Sequence, residues 1–127
     1  MRFCTAECRK PPLADKAHVL AKSVPLGERK RLEMARALAT QPQLLLLDEA
    51  IAGLNPTEVG QIMDLIRAVQ HTGVTIFLIE HVMKAILGLS DKVIVLNCGE
   101  KIAEGPPQEV ANDPQVITAY LGQKRLT

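Results

Sequence analysis

The six residues Leu44-Leu45-Leu46-Leu47-Asp48-Glu49 carry the strongest structural signal in this 127-residue chain. A short and wholly apolar run that follows a proline, Pro42, predicts a strand buried on both faces, as in parallel sheets. Parallel strands of α/β proteins bind ligands beyond their carboxyl ends, which is where Asp48 and Glu49 lie. The sequence therefore predicts an α/β fold with a polar site at the end of this strand.

The two carboxylates that end this run have a chemical and a structural explanation. Burying them beside four leucines costs free energy unless a cation compensates, and a Mg²⁺-nucleotide site would supply that cation. In this hypothesis Asp48 binds the metal or its water shell, and Glu49 orients and polarises an attacking water. In the structural alternative, the pair caps a helix that follows a core strand.

Periodic patterns on either side of that run predict helices and strands in turn. On the N-terminal side, residues 27–40 form a helix with an apolar stripe, and a short helix is expected over residues 13–22. On the C-terminal side, Asn55-Pro56 with Glu58 starts a helix that Gly73 ends. The remaining predicted elements are strands at 74–79, 92–96 and 101–104, a hairpin turn at 97–100, a helix at 81–89 and two short C-terminal helices. This order predicts a mainly parallel sheet flanked by helices, to which the final hairpin adds an antiparallel edge.

Composition and charge argue against several classes of protein. A formal net charge of +1 gives no electrostatic reason to expect nucleic acid or an acidic membrane surface as a partner. No run approaches the ~20 apolar residues of a membrane span, and the N-terminus lacks the apolar core of a secretory signal. The three cysteines, an odd number, indicate reduced thiols of a cytosolic protein. A metal site built from Cys4, Cys8 and His18 is disfavoured because the spacing fits no common zinc pattern.

Three further motifs are individually weak. Gly27 stands at a helix N-terminus, where unpaired N–H groups and the helix dipole favour an anion such as phosphate. His81 follows the strand at 74–79, and if that strand neighbours the first one, His81 and Glu49 emerge at the same edge. The third motif, Gly53-Leu54-Asn55, lies directly after the acidic pair. Each has an ordinary alternative: a solvated helix face, a structural histidine, and a loop with a helix cap.

The order and spacing of these motifs resemble the ABC ATPase family, whose domain is a P-loop NTPase fold. LLLLDE resembles the Walker B motif, AGLNP the D-loop, LIEH the switch-histidine loop, and VPLGERKRLEMARAL the signature motif with its following helix. The segment LSDKVIVLNCGEKIAEGPPQEVANDPQVITAYLG resembles the C-terminal part of subunits that serve branched-chain amino-acid importers. The resemblance covers residues 13–122, between an arm at 1–12 that resembles nothing in the family and a tail at 123–127.

The resemblance implies a role for each matching residue. Asp48 is the Mg²⁺-associated carboxylate, Glu49 the catalytic or water-orienting residue, and His81 the switch histidine. The D-loop is Gly53, Leu54 and Asn55, and the signature positions that contact the opposite subunit's nucleotide are Pro25, Leu26, Gly27 and Glu28. The family further implies ATP and Mg²⁺ as cofactors, a cytoplasmic position at the membrane, and permease subunits as indirect partners.

Two departures from the family bear on activity. Pro25 removes a hydroxyl and an N–H donor from the signature turn, where Leu26 and Glu28 also differ from the common Leu-Ser-Gly-Gly-Gln. A bulkier residue after a proline is tolerated in the branched-chain group, so this change supports that group. Ala50 stands where the family usually has proline.

The larger departure is that no G-x-x-x-x-G-K-[ST] loop, the Walker A motif, occurs in these 127 residues. We therefore expect the chain alone to neither bind ATP tightly nor hydrolyse it, and to be marginally stable, self-associated or completed by another polypeptide. The completing partner would be an intact ABC ATPase subunit or the missing N-terminal half. The alternative function is a non-catalytic fragment or interaction module that docks on an intact subunit. A DNA-repair or chromosome-organising ATPase is disfavoured, because the C-terminal segment resembles transporters better.

Overall fold

The computed structural model describes residues 19–124, which fall into two compact units that divide between Glu80 and His81. The first unit alternates helices and strands, and the second contains a hairpin among short helices. In chain order the elements are α1 (Leu26–Leu38), β1 (Leu44–Asp48), α2 (Pro56–His71), β2 (Thr75–Ile79), α3 (Met83–Leu89), β3 (Val93–Asn97), β4 (Glu100–Gly105), α4 (Pro107–Ala111) and α5 (Pro114–Lys124). This order confirms the predicted mixture of α and β elements.

In the first unit, β1 and β2 form a parallel pair joined through α2. Their register places Leu44 opposite Thr75 at one end and Asp48 opposite Ile79 at the other. The carboxyl ends of both strands therefore meet at one edge, as the sequence predicted for neighbouring strands. Because β1 pairs only with β2 among the described strands, its other edge carries no strand there.

Helix α2 begins with the predicted cap. The side chain of Asn55 accepts hydrogen bonds from the N–H groups of Thr57 and Glu58, both at 3.0 Å. The side chain of Glu58 accepts in return from the Asn55 N–H at 3.0 Å, which completes a capping box, and Pro56 occupies the first helical position. At the other end Gly73 adopts a φ of +89°, the left-handed conformation that lets a helix stop.

The two faces of the β1–β2 pair differ in burial. Leu45 and Leu47 lie on the face covered by the core of this unit, with Ile62 of α2 among its buried residues. On the opposite face the exposed fractions are 53% for Leu44, 67% for Leu46, 52% for Phe77 and 53% for Ile79. The prediction that both faces of β1 are buried is therefore wrong for the described residues. Side chains alternate along a strand, and within residues 19–80 helices cover only one face.

The second unit contains the predicted hairpin, but as a sheet of its own. β3 and β4 pair antiparallel, with a register shift between Val95 and Leu96, and they form a two-stranded sheet separate from β1–β2. The prediction that the hairpin adds an edge to the parallel sheet is therefore wrong in the described range. Cys98 and Gly99 both have positive φ, +49° and +83°, as a tight two-residue hairpin turn requires.

The helices at the two ends of the described range differ in how well they were predicted. α4 and α5 confirm the two short C-terminal helices, and Asp113 accepts from the Gln115 N–H at 2.7 Å where α5 begins. The predicted helix at 13–22 is wrong over residues 19–22, because Val19 and Leu20 are not helical and Ala21–Ser23 is a single 3₁₀ turn. Residues 13–18 lie outside the described residues. None of the helices within 19–124 has the length and apolarity to span a bilayer.

Glu104 of β4 provides a test of the hairpin's electrostatics. Its carboxylate binds the ammonium groups of Lys101 at 2.6 Å and Lys92 at 2.5 Å. Hydrogen bonding to Lys101, and then to Lys92, lowers the pKa of Glu104 from 4.5 to about 2. Because the folded pKa is the lower one, the stabilisation is complete above pH 4.5 and is lost as the pH falls towards 2.

We therefore expect the wild-type chain to be more stable than Glu104→Gln near neutral pH, and the difference to shrink on acidification. Urea unfolding of both chains across that pH range measures it. A difference that stays constant down to a pH of about 2 would contradict the assignment.

Candidate functional site

The end of β1 brings the predicted carboxylates to the sheet edge. Asp48 is the last residue of β1, is exposed, and lies opposite Ile79 in the register. Glu49 follows with a φ of +47°, in the left-handed region that residues with side chains seldom occupy. Its N–H donates to the Ile79 carbonyl at 2.9 Å, so the ladder between the strands extends one residue into the site.

The backbone of Glu49 is held on its carbonyl side as well. That oxygen accepts from the Ala52 N–H at 3.2 Å and from the Lys30 ammonium of α1, also at 3.2 Å. A left-handed residue of this kind costs about 1–3 kcal/mol and persists where its surroundings over-determine it. The three hydrogen bonds fix where the Glu49 side chain leaves the backbone, at the end of the strand.

Glu80 joins this loop from the end of β2. Its Oε1 atom accepts from the Ile51 N–H at 2.9 Å, and Ile51 is only 2% exposed. Glu80 was not among the predicted site residues. The signal in the sequence is a carboxylate directly after the second strand of a parallel pair, which matches the position of Asp48 and Glu49 at the end of the first.

The predicted signature turn packs against the loop that follows the acidic pair. Gly27 is buried, and a Cβ built there would lie 2.8 Å from Oε1 of Glu58. Gly53 has a φ of +77°, and a Cβ there would lie 3.1 Å from Cδ2 of Leu26. Glycine at position 53 thus permits the close approach of the turn and the loop, and glycine at position 27 permits that of the turn and the first turn of α2. The structure brings together the turn at 25–28 and the loop at 53–55.

The residues of those two segments occupy distinct local positions. Pro25 is the N-cap of α1 and makes no side-chain capping bond, while its carbonyl accepts from the Arg29 N–H at 3.0 Å. Glu28 lies in the first turn of α1, Asn55 caps α2, and the Leu54 N–H donates to the Ile51 carbonyl at 3.3 Å. The turn and the loop are therefore both tied to helix N-termini.

The predicted switch histidine and the predicted metal ligands lie in different parts of the chain. His81 is exposed and is the first residue of the second unit, so its closeness to Glu49 stays a prediction. The described range holds no group of three or more His, Cys, Asp or Glu able to bind a metal. Mg²⁺ in phosphate sites needs only one or two carboxylates besides the substrate oxygens, so Asp48 fits that role. Cys4, Cys8 and His18 lie outside the described residues.

The contact between Leu26 and Gly53 predicts unequal effects of two alanine substitutions. Gly53 and Gly73 both have positive φ, so alanine at either pays a left-handed penalty of about 1–2 kcal/mol. Only at Gly53 does the added Cβ meet a neighbour, because the space beside Gly73 is open. We expect Gly53→Ala to lower the free energy of unfolding by about 1 kcal/mol more than Gly73→Ala.

Urea unfolding measures both losses, and a double-mutant cycle with Leu26→Ala isolates the contact. Equal losses at the two glycines, with no coupling between positions 26 and 53, would show that the two segments do not press on each other.

Comparison with known proteins identifies the family. Residues 6–52 match the ABC transporter family model, and residues 100–124 match the model for branched-chain amino acid ATP-binding cassette transporters. The chain is 46% identical over 112 residues to LivG of Salmonella typhimurium, a high-affinity branched-chain amino acid transport ATP-binding protein; the match covers 87% of this chain and 44% of LivG. This chain belongs to the ABC transporter ATP-binding family.

Other ABC proteins support the same assignment. BraF of Pseudomonas aeruginosa, a high-affinity branched-chain amino acid transport ATP-binding protein, is 41% identical over 112 residues, covering 87% of this chain and 44% of BraF. LptB of Acidithiobacillus ferridurans, a lipopolysaccharide export system ATP-binding protein, is 40% identical over 98 residues, covering 77% of this chain and 41% of LptB. This chain thus spans less than half the length of these ABC relatives.

Solved ABC structures share the fold. An ATP-binding cassette of an ABC transporter in its ADP conformation superimposes with a TM-score of 0.72 at 33% identity, covering 79% of this chain and 41% of that one. A second structure of that cassette gives a TM-score of 0.78 at 31% identity, covering 85% of this chain and 44% of that one. The predicted fold class, part of an ABC-type P-loop NTPase domain, is confirmed.

Proposed function

We propose that this chain is the hydrolysis-side portion of the ATP-binding subunit of an ABC importer for branched-chain amino acids. The likeness to LivG and BraF, and the matched C-terminal segment at 100–124, favour that substrate class. The observation that carries the mechanism is the left-handed Glu49, held by three hydrogen bonds at the end of a parallel strand. Such a residue is positioned before any ligand arrives, which general-base chemistry needs.

Each residue at the sheet edge then takes one role. Mg²⁺, when bound, neutralises charge on the phosphates, and Asp48 is the residue that would hold it or its waters. Glu49 accepts a hydrogen bond from the attacking water and orients it. His81 donates a hydrogen bond to the terminal phosphate, a role that needs it at the edge beside Glu49. These three assignments are the water-activating half of a nucleotide site.

The turn at 25–28 and the loop at 53–55 would contribute to a second nucleotide site. Pro25, Leu26, Gly27 and Glu28 would face the nucleotide of an opposite subunit, and Gly53, Leu54 and Asn55 would form the adjoining D-loop. The close approach of Leu26 to Gly53, and of Gly27 to the Glu58 side chain at the start of α2, supports this grouping. Contacts to phosphate would come from backbone N–H groups and Gly27, since Pro25 offers neither a hydroxyl nor an N–H.

The phosphate cradle would come from another segment. We propose that it is supplied by the N-terminal half of the same kind of domain or by an intact subunit, which also covers the apolar face of Leu44, Leu46, Phe77 and Ile79. The assembled subunit would pair with a second copy and sit against membrane permease subunits, on the cytoplasmic side. Nucleic acid is not a partner in this proposal, and the segments matched to ABC transporter models reach from residue 6 to residue 124.

The experiment that tests this function is complementation. The chain is co-expressed with the part of LivG that it does not cover, and Mg-ATP binding and hydrolysis are measured for the complex and for the chain alone. We expect binding and turnover only in the complex. Tight binding of Mg-ATP by the chain alone, or a stable complex without turnover, would contradict the proposal.

The exposed apolar strand face also favours a second function, a non-catalytic module that docks on an intact subunit. In that case the chain binds intact LivG without adding turnover, and Glu49→Gln leaves the ATPase activity of the mixture unchanged. In the proposed function the same substitution lowers the activity of the complemented site about 10²–10³-fold.

A further inference from the structure

We propose that Glu80 is a positioning residue for the water-activating loop, an inference that rests on the role proposed for Glu49. Glu80 lies directly after β2, and the loop that it contacts lies directly after β1. Glu80 and Ile51 of that loop are 29 residues apart in sequence, and the parallel pairing of β1 with β2 brings them together.

The contact is a hydrogen bond to the backbone of a residue that is almost wholly buried. Oε1 of Glu80 accepts from the Ile51 N–H at 2.9 Å, and Ile51 is 2% exposed. A buried N–H that loses its partner keeps the full penalty of its lost hydration. Without the Glu80 side chain the loop must therefore leave this conformation or carry an unpaired donor.

Ile79 and Glu80 each accept a hydrogen bond from the loop that follows β1. The Ile79 carbonyl accepts from the Glu49 N–H at 2.9 Å, and Glu80 accepts from the Ile51 N–H two residues later. These bonds bracket a backbone at Glu49 that has a φ of +47° and would otherwise relax. Since His81 follows Glu80 in the chain, the same short segment that carries the predicted switch histidine also sets the direction of Glu49.

The second oxygen of Glu80 indicates that stability alone does not explain this residue. Oε2 is buried and meets no hydrogen-bond donor among the described residues. A buried carboxylate oxygen without a partner lowers stability, and such groups in native proteins call for a functional reason. Positioning the loop is a role that this carboxylate performs despite that cost.

Amide hydrogen exchange on the 127-residue chain tests the contact without requiring nucleotide. Glu80→Ala removes the acceptor, Glu80→Asp shortens its reach, and Glu80→Gln keeps an acceptor oxygen at the same distance. We expect exchange of the Ile51 amide to accelerate about 10-fold or more in the alanine and aspartate variants, and to change less than about 3-fold in the glutamine variant. Val69→Ala, which opens a cavity in α2, is the matched control, and it should change the Ile51 and Ile62 amides in parallel.

Turnover in the complemented complex tests the positioning role. We expect Glu80→Ala to lower kcat about 10-fold at an unchanged KM, and Glu80→Gln to restore most of it. Unchanged Ile51 exchange in both shortened variants would overturn the proposal, and so would wild-type kcat in a variant whose Ile51 amide has been released. If even the wild-type complex lacks turnover, the proposed function fails, and the exchange data alone decide whether Glu80 holds the loop.

Discussion

Replacing Glu49 by glutamine is expected to lower ATP hydrolysis by the complemented complex about 10²–10³-fold while leaving ATP affinity within about threefold. Glutamine keeps the length and a hydrogen-bonding oxygen, so the three backbone bonds at residue 49 have no reason to change. What it loses is the negative charge that polarises the attacking water. The effect therefore falls on kcat, and steady-state turnover together with equilibrium binding of Mg-ATP measures both quantities.

Asp64→Asn is the matched control for that substitution. Asp64 is an exposed acid on α2 whose carboxylate pairs with Arg67 one turn away at 2.9 Å, so the change to an amide is chemically the same but remote from the site. Turnover in Asp64→Asn should stay within about twofold of the wild type. Equal activity of Glu49→Gln and Asp64→Asn would remove Glu49 from the reaction.

The features that the sequence predicted well are those encoded by neighbouring residues. Leu44–Asp48 is a strand because its run is short and apolar, and α2 begins at Pro56 because Asn55 and Glu58 form a capping box. The stop at Gly73 and the turn at Cys98-Gly99 likewise need only local backbone preferences. Each of these signals lies within a few residues, so a pattern suffices to find it.

The features that the sequence missed depend on groups far apart in the chain. The bond from Ile51 to Glu80 and that from Lys30 to Glu49 form only after the strands have paired and α1 has packed. The left-handed conformation of Glu49 is one that glutamate seldom adopts, and hydrogen bonds to its own backbone hold it. The apolar run at 44–47 predicted burial on both sides, but burial also depends on which segment covers the second face.

The exposed apolar face of the β1–β2 pair is expected to make the chain associate with itself. Leu46 and Phe77 lie opposite each other in the register and are 67% and 52% exposed. Burying a side chain of this size stabilises an interface by about 1.5–3 kcal/mol. We therefore expect the wild-type chain to self-associate, and Leu46→Lys with Phe77→Lys to weaken that association at least about 100-fold, as measured by sedimentation or light scattering.

A control substitution at another exposed apolar residue tests whether the effect is specific to the β1–β2 face. Ile117→Lys is the control, since Ile117 on α5 is 42% exposed but does not belong to the β1–β2 face. Its change should leave association within about twofold.

If the segment that supplies the phosphate cradle covers Leu46 and Phe77, adding that segment to the wild-type chain must dissociate the self-associated form. The double-lysine variant must then also fail to form the ATP-hydrolysing complex, although Asp48 and Glu49 are unaltered. A wild-type chain that is monomeric at micromolar concentration would contradict the predicted self-association. A double-lysine variant that still complements would show that this face is not where the site is completed.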